Sequence, residues 1–224
     1  MLILLIKKLK HKLKLILTRS FYKKDEFEQK IYDDNQFKNR KMETYIEFAN
    51  IIYRLFKPKT FIDVGCANGF VSEALLNKGV EAYGIEGAKS AFKYMANQVK
   101  PRIYNLDLRI DFKHKNLGIF DIVNFTEVAE HIKSEHEKIM LNNVVSLINK
   151  YLVISWSNEW DSFKGTEKQK HYNPRSKRYV IKRLKKLGLR LEKILTKKFN
   201  DELRQSQQVY SHWKEKILVF SKDD

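Results

Sequence analysis

Apolar positions along the chain alternate between short continuous runs and stretches with helical spacing. The continuous runs predict five buried strands, over 60–64, 80–85, 102–105, 120–125 and 151–155. Helical spacing between them predicts helices over 42–56, 70–78, 88–99 and 134–149. Strands that alternate with helices form a parallel sheet with helices on both faces. The pattern therefore predicts an α/β, doubly wound fold.

The end of the chain departs from this alternation. A helix is predicted over 174–187, with Asn173 before its first turn and a proline inside that turn. A strand-like stretch over 189–196 and a last strand over 216–220 follow, separated by polar residues. Because no helix long enough for a crossover is predicted between these two strands, we expect them to pair antiparallel.

Residues 1–17 form a basic amphipathic pattern, with leucine and isoleucine on one helical face and lysine around the remainder. The apolar run is too short to cross a membrane, and the charges follow it instead of preceding it as in a secretory signal. We expect the segment either to lie flat on an anionic membrane surface or to dock onto its own domain or a sister subunit. The chain is therefore divided into an N-terminal extension, residues 1–40, and one domain, residues 41–224.

The composition adds a strong positive charge and a single cysteine. The 224 residues include 44 lysines and arginines against 27 acidic residues, a formal net charge of +17. Such an excess points to a polyanion or an anionic surface, but a lysine-rich composition without a binding role explains it equally well. One cysteine, Cys66, excludes an internal disulfide and suits a reducing, cytoplasmic compartment. Its place in a glycine-rich turn indicates a need for a small residue and not a nucleophile.

The first predicted strand ends in a turn of small residues, Asp63-Val-Gly-Cys-Ala-Asn-Gly69, which a helix follows at once. Glycines at the carboxyl end of a buried strand let a ligand approach the backbone at the next helix N-terminus. The spacing matches neither the dinucleotide fingerprint nor the phosphate loop that closes with Lys-Ser or Lys-Thr. The turn alone therefore predicts a binding site without naming its ligand.

Acidic residues also follow the next predicted strands, and ligands of open parallel sheets bind beyond the carboxyl ends of the strands. Glu86 ends the second strand about 20 residues after the turn, where a carboxylate accepts both hydroxyls of a ribose. Asp107 follows the third strand, where a carboxylate accepts a hydrogen bond from an adenine amino group. The successive strand ends thus supply the parts of a nucleoside site.

Together these motifs resemble those of the class I S-adenosylmethionine-dependent methyltransferases, over roughly Tyr45 to Phe220. The resemblance implies a Rossmann-like sheet of seven strands, mostly parallel with an antiparallel last strand. It implies S-adenosylmethionine as the cofactor and assigns its binding to Asp63, Gly65, Ala67, Gly69, Glu86, Gly87, Asp107, Leu108 and Thr126. Ala67 departs from the family pattern, in which glycine is common at this position.

Two carboxylates and an imidazole follow the fourth strand closely, in Glu127-Val-Ala-Glu130-His131. With the later His171, they offer oxygen and nitrogen ligands to one divalent cation, for which magnesium or manganese is expected. The combination resembles the metal-dependent small-RNA 3′-terminal ribose 2′-O-methyltransferases, and its first part is similar to the polyprenyl-catechol O-methyltransferases. We therefore predict all four residues as metal ligands, and Glu130, His131 and His171 as catalytic. The alternative is that the Glu-His pair binds no metal and a histidine acts as general base.

The loop after the fifth strand is expected to contact the acceptor. It contains Trp156 and Trp160, and Asn173 lies in a His-x-Asn-Pro segment that is similar to small viral and bacterial glycan methyltransferases. Aromatic residues on loops suit stacking on a sugar or a base. We therefore predict Trp156, Trp160 and Asn173 as substrate residues, and one hydroxyl of a vicinal pair on a glycan as the acceptor. The open alternatives are a 3′-terminal ribose of RNA, a membrane-associated quinone or catechol, and a cofactor-binding scaffold without turnover.

Overall fold

The structure, a computed structural model, describes residues 37–159, 171–209 and 213–222. The predicted N-terminal helix over 1–17 and the predicted substrate residue Trp160 lie outside the described residues. Within the described ranges, no helix combines the length and the apolar character needed to cross a membrane.

Seven strands form one sheet in the part of the chain that the structure describes. They are β1 Thr60–Val64, β2 Glu81–Ile85, β3 Ile103–Tyr104, β4 Phe120–Phe125, β5 Ile148–Ile154, β6 Leu189–Leu191 and β7 Leu218–Lys222. Their order across the sheet is β3-β2-β1-β4-β5-β7-β6, and β7 runs antiparallel to both of its neighbours. The other pairs are parallel. This confirms the predicted sheet, and the strand order reverses between β1 and β4, where such sheets bind ligands.

The described α-helices cover both faces of the sheet. They are α1 Met42–Phe56, α2 Phe70–Leu76, α3 Glu137–Ser146, α4 Lys177–Lys185 and α5 Lys193–Gln205. Phe48 of α1, Leu75 of α2 and Phe199 of α5 are buried in one apolar core. Met140 of α3 and Val180 of α4 belong to the core on the other face. The predicted doubly wound α/β arrangement is therefore confirmed.

The helix predicted over 88–99 is wrong. The structure has a 3₁₀ helix at Lys89–Tyr94, followed by extended backbone at Met95. Ala91, Met95 and Val99 nevertheless lie in one buried apolar cluster. The spacing of these apolar residues therefore indicated only that they are buried in this cluster, which does not require the hydrogen bonds of an α-helix.

Two boundaries near the C-terminus also differ from the prediction. The helix predicted over 174–187 begins only at Lys177, because Ser176 caps it and accepts a hydrogen bond from the Tyr179 N–H. The strand predicted over 189–196 ends at Leu191, and α5 follows directly. The remaining predicted elements are present, with ends that differ by a few residues.

The antiparallel pairing of β6 and β7 was predicted correctly but for a wrong reason. The prediction assumed that no helix separates the two strands, whereas α5 lies between them in sequence. β7 nevertheless enters the sheet from the opposite end and pairs with both β5 and β6. Connection length therefore did not determine the direction of this strand.

Candidate active site

The glycine turn between β1 and α2 has a backbone that small residues make possible. Gly65 has a φ of 82°, and a Cβ atom there would lie 2.4 Å from Cγ2 of Val128, so only glycine fits. Gly69 precedes the first residue of α2 with a φ of 72°. Ala67 adopts a φ of 49°, which is strained for a residue with a Cβ atom.

Cys66 fills space in this turn. A Cβ atom on Gly84 of β2 would lie 2.7 Å from Sγ of Cys66, so the thiol occupies the room that the missing side chain leaves. Burial raises the pKa of the Cys66 thiol well above its usual value. A buried, protonated thiol is a poor nucleophile, which agrees with the need for a small residue inferred from the sequence.

Glu86 ties the glycine turn to the end of β2. Its Oε2 accepts a hydrogen bond from the Ala67 N–H at 2.8 Å, and its Oε1 accepts one from the Ala88 N–H at 2.7 Å. Burial raises the pKa of this carboxyl, while the hydrogen bonds from the two N–H groups oppose the rise. Carboxylate oxygens have more than one lone pair, so both remain able to accept a ligand hydroxyl.

Asp63 and Thr126 share a partner at the end of β4. Nδ2 of Asn124 donates to Oδ1 of Asp63 at 2.7 Å and lies 3.2 Å from Oγ1 of Thr126. Burial raises the pKa of Asp63 to about 7, against the effect of the Asn124 hydrogen bond, and the Glu86 charge adds to the rise. Asp63 is 5% exposed, so it supports the turn from the interior of the domain.

Arg40 is a candidate site residue that the sequence analysis did not identify. Its charge opposes the rise in the pKa values of Asp63 and Glu86, and its Nη1 donates to Oη of Tyr45 at 2.7 Å. The chain before α1 reaches the glycine turn because Asn68 Nδ2 donates to the Phe37 carbonyl at 2.8 Å and the Phe37 side chain is buried. The Phe37 side chain therefore packs beside the glycine turn. A lone arginine before a predicted helix gives no sequence signal.

A cleft of about 180 Å³ lies at the carboxyl ends of the central strands. Five of the predicted cofactor residues line this cleft: Gly65, Glu86, Gly87, Asp107 and Leu108. His131, predicted as a metal ligand, lines it as well. The cleft therefore brings five predicted cofactor residues together with one predicted metal ligand.

Arg109, which also lines the cleft, binds the carboxylate of Asp107. Its Nε donates to Oδ1 at 3.0 Å and its Nη2 donates to Oδ2 at 2.7 Å, a fork-shaped pair. The Arg109 N–H also donates to Oδ1, at 2.8 Å. The predicted contact of Asp107 with an adenine amino group therefore competes with an ion pair that the sequence analysis did not foresee.

Three of the four predicted metal ligands meet at the same edge of the sheet. Glu130, His131 and His171 offer ligand atoms that lie within 4.8 Å of one another. Glu130 is fully buried, and neither of its carboxylate oxygens has a hydrogen-bond partner among the described residues. A buried carboxylate without a partner is costly, and a divalent cation between it and two imidazoles would provide one. The residues present therefore fit a bound metal ion.

The protonation of Glu130 follows from the same burial. Burial raises its pKa to about 8, and the charge of Glu127 adds to the rise. The N–H groups of Glu130 and Ser157 oppose the rise, although neither has the geometry of a hydrogen bond to the carboxylate. Without a cation, burial therefore favours the protonated form of this carboxyl group.

Glu127, the fourth predicted ligand, does not belong to the cluster. Its Oε1 accepts a hydrogen bond from Oγ of Ser155 at 2.7 Å, and the Glu127 N–H donates to the same Oγ at 2.8 Å. Its φ of 57° is unusual for a residue with a side chain. Ser155 thus holds the Glu127 carboxylate, whose charge contributes to the raised pKa of Glu130.

His171 has a defined orientation. Its Nδ1 lies 2.7 Å from the Glu159 carbonyl oxygen, so Nδ1 carries the proton and Nε2 is the nitrogen that presents a lone pair. Metal-binding histidines commonly donate a hydrogen bond from the N–H of their second ring nitrogen to a carbonyl in this way. The Tyr172 and Asn173 N–H groups donate to the Glu130 carbonyl at 2.8 and 3.0 Å, which holds the His171 segment against the turn that carries Glu130.

The structure places the side chains of Trp156 and Asn173, both predicted as substrate residues, in the interior of the domain. They are 6% and 1% exposed, respectively. Nε1 of Trp156 donates to the Asn173 carbonyl at 2.6 Å, and Nδ2 of Asn173 donates to Glu137 at 3.2 Å. Both residues therefore support the His171 segment from the interior.

No protein-family model matches this sequence. Among curated proteins, the chain is 30% identical over 95 residues to the ubiquinone biosynthesis O-methyltransferase of Coxiella burnetii (strain Dugway 5J108-111). That match covers 41% of this chain and 40% of the relative, so it spans less than half the length of either protein.

Two solved structures with a similar fold are methyltransferases. The magnesium protoporphyrin IX methyltransferase from Synechocystis PCC 6803 with bound SAH has a TM-score of 0.57 at 15% identity, over 81% of this chain and 84% of that one. A TehB-like SAM-dependent methyltransferase from Corynebacterium glutamicum has a TM-score of 0.55 at 16% identity, over 80% and 88%. The chain therefore has the fold of the S-adenosylmethionine-dependent methyltransferases.

Proposed function

We propose that this protein transfers a methyl group from S-adenosylmethionine to a hydroxyl oxygen, with a divalent cation at the acceptor. The observation that carries the proposal is that His131 belongs to two groups of residues. This residue lines the cleft that Glu86 and Asp107 also line, and it belongs to the ligand cluster with Glu130 and His171. A methyl donor in the cleft would therefore lie next to a cation in the cluster.

The cofactor is proposed to bind along the glycine turn. Glu86 accepts the ribose hydroxyls with the lone pairs that the Ala67 and Ala88 N–H groups leave. Gly65 has no Cβ atom, so the cofactor can lie against the backbone there. Arg40, whose charge reaches Glu86, binds the carboxylate of the methionine part as a fork-shaped cation.

The cation is proposed to bind Glu130, His131 and Nε2 of His171. A cation in this position supplies Lewis acidity that lowers the pKa of a bound hydroxyl, and magnesium or manganese suits a site with oxygen ligands. The chain contributes a negative charge beside the site, because Ser155 holds Glu127 close enough to raise the pKa of Glu130. Burial of Glu130 also keeps water from competing for its oxygens.

The acceptor is proposed to be one hydroxyl of a vicinal pair on a glycan, because two adjacent oxygens can bind one cation together. A catechol is the second candidate. It is favoured by the similarity to the ubiquinone biosynthesis O-methyltransferase, a protein that this chain matches over 95 residues. A 3′-terminal ribose of RNA also has a vicinal pair, and the net charge of +17 supports it.

The proposal is tested by offering methyl-labelled S-adenosylmethionine with three acceptors: a rhamnose-type glycan, a polyprenyl catechol and a short RNA. We expect label on a hydroxyl of one acceptor, no transfer in excess chelator, and recovery with Mg²⁺ or Mn²⁺. Label on the glycan supports the leading acceptor, and label on the catechol or the RNA identifies the alternative. Full transfer in excess chelator would contradict the cation.

Glu130→Gln provides a variant of nearly unchanged shape for the same assay. Because burial favours the protonated, uncharged form of the Glu130 carboxyl when no cation is bound, the amide should fold normally. We expect transfer to fall roughly 100-fold or more, since the cation loses its charged ligand, with unchanged cofactor binding. Glu81→Gln is the control. Glu81 begins β2, at the end of the strand away from Glu86 and the cleft, so this variant should keep full activity.

A further inference from the structure

Helix α3 begins with a buried carboxylate, Glu137, that the proposed reaction does not use. It is 5% exposed, and several donors converge on it. Oη of Tyr179 donates to Oε1 at 2.6 Å, and Nε of Arg175 donates to Oε2 at 3.2 Å. Nε of Arg183 lies 3.4 Å from Oε1. Its position at the first turn of a helix further favours its negative charge.

The partners of Glu137 all lie shortly after His171 in sequence. Besides Tyr179 and the two arginines, Nδ2 of Asn173 donates to Oε2 of Glu137 at 3.2 Å. The contacts thus reach from residue 173 to residue 183. Because α3 is packed into the core through residues such as Met140, Glu137 is a fixed point against which this segment is held.

We propose that Glu137 is a positioning residue that brings His171 into the cation site. This inference rests on the proposed function, since it assigns the delivery of one ligand of the proposed cation. Glu130 and His131 lie on the turn after β4 and keep their places without Glu137. His171 reaches them from a separate segment, and its backbone anchors, the Tyr172 and Asn173 N–H groups, lie within that segment.

The same helix supplies a matched control, Asn143. This fully buried side chain donates through Nδ2 to the carbonyls of Leu108 and Ile110, at 3.1 and 2.9 Å. Its Oδ1 accepts a hydrogen bond from the Phe112 N–H at 3.3 Å. Asn143 therefore holds the loop that follows Asp107, on the cofactor side of the cleft. One helix thus carries one polar side chain for each side of the site.

The test compares Glu137→Gln and Tyr179→Phe with Asn143→Ala in the full-length protein. Mn²⁺ affinity is measured by electron paramagnetic resonance, and affinity for S-adenosylhomocysteine is measured by calorimetry. Hydrogen exchange at the Tyr172 and Asn173 amides reports the His171 segment in the metal-free protein. Tyr179→Phe removes one hydrogen bond from a partly exposed ring, so it folds even if the glutamine variant does not.

We expect Glu137→Gln to weaken Mn²⁺ binding at least about tenfold and to speed exchange at both amides, with cofactor affinity changed less than about twofold. Tyr179→Phe should act in the same direction but less strongly. Asn143→Ala should weaken cofactor binding and leave Mn²⁺ affinity unchanged. This separation between the two sides of α3 distinguishes positioning from a general loss of stability.

Two outcomes would overturn the inference, and only one of them would also refute the proposed cation site. Equal Mn²⁺ affinity in the wild type, Glu137→Gln and Tyr179→Phe would remove the role of Glu137 and leave the proposed function intact. Failure of the wild-type protein to bind Mn²⁺ would refute the proposed cation and the role of Glu137 together.

Discussion

Ala67 adopts a conformation that glycine adopts more easily, at the centre of the turn proposed to hold the cofactor. Its φ is 49°, and its N–H donates to Glu86. The left-handed region costs a residue with a Cβ atom roughly 1 kcal/mol. The methyl group is buried in an apolar cluster with Phe37, which offsets part of this cost.

Ala67→Gly should therefore be close to neutral for stability. Relief of the strained φ opposes the lost methyl contact and the greater freedom of the unfolded chain. Ala88→Gly is the matched control, because Ala88 packs against the same cluster with a φ of −79°. It should lose about 1 kcal/mol, since no strain is relieved. Chemical denaturation of both variants measures the difference, and equal losses would mean that Ala67 is not strained.

Asp63 should make the stability of the ligand-free protein depend on pH. Its pKa is about 7 in the folded state, because of burial, and about 3.9 when unfolded. Between these values the folded state binds the proton and the unfolded state does not. The free energy of unfolding therefore falls as pH rises from about 4 to about 7. Below that window the penalty is absent, and above it the penalty is complete.

Asp63→Asn removes this ionisation and keeps an oxygen that accepts from Asn124. As the pH rises from 5 to 8, we expect the difference in unfolding free energy between the variant and the wild type to grow by about 2 kcal/mol in favour of the variant. Urea unfolding at each pH measures this difference. Asp121→Asn is the control. The pKa of Asp121 is lowered despite its burial, through hydrogen bonds from the Lys59 N–H and from Lys150. The change in unfolding free energy caused by Asp121→Asn should be the same from pH 5 to pH 8. If the change caused by Asp63→Asn were also independent of pH, the raised pKa of Asp63 would be refuted.

At the scale of single residues, the sequence predicted the side chains that a local motif carries. Gly65 and Glu86 lie at strand ends as expected, and the spacing of Glu130 and His131 led to a real cluster. Arg40 and Arg109 were missed, because an arginine near a strand end or before a helix has no distinctive pattern. Trp156 was assigned to a substrate because the sequence does not reveal whether a loop aromatic is buried.

At the scale of elements, strands were predicted better than the segments around them. Buried parallel strands are continuous apolar runs, so β1 and β4 were predicted with the bounds that the structure has. The segment over 88–99 shows the limit, because an apolar spacing of three to four residues reports only which side is buried. Helix α5 was missed for the same reason, since its apolar residues follow directly on the strand-like residues of β6.

Helix α3 illustrates what an element contributes beyond its own packing. Its apolar residues join the core, whereas Glu137 and Asn143 reach out to two separate loops. Neither residue belongs to a motif that the sequence analysis identified. Their roles depend on contacts with residues about 30 positions away or more, which no local pattern contains.

At the scale of the whole molecule, the sheet edge brings together residues from four strand ends and one distant segment. The order of the strands places β1 and β4 next to each other, so the glycine turn and the Glu130 turn share one cleft. The net charge of +17 predicts an anionic partner, and this stays a prediction. What the architecture supports is a division of the edge, with a methyl donor on the β1 and β2 side and an acceptor on the β4 and β5 side.

The central claim is that this edge binds S-adenosylmethionine, and calorimetric titration with S-adenosylhomocysteine tests it most directly. We predict binding at one site per chain in the wild-type protein, and a loss of at least about tenfold in Glu86→Ala, which removes the carboxylate that meets the ribose. Glu81→Ala, at the other end of the same strand, should bind as the wild type does. Absence of binding in the wild type, or equal binding by Glu86→Ala, would contradict the account.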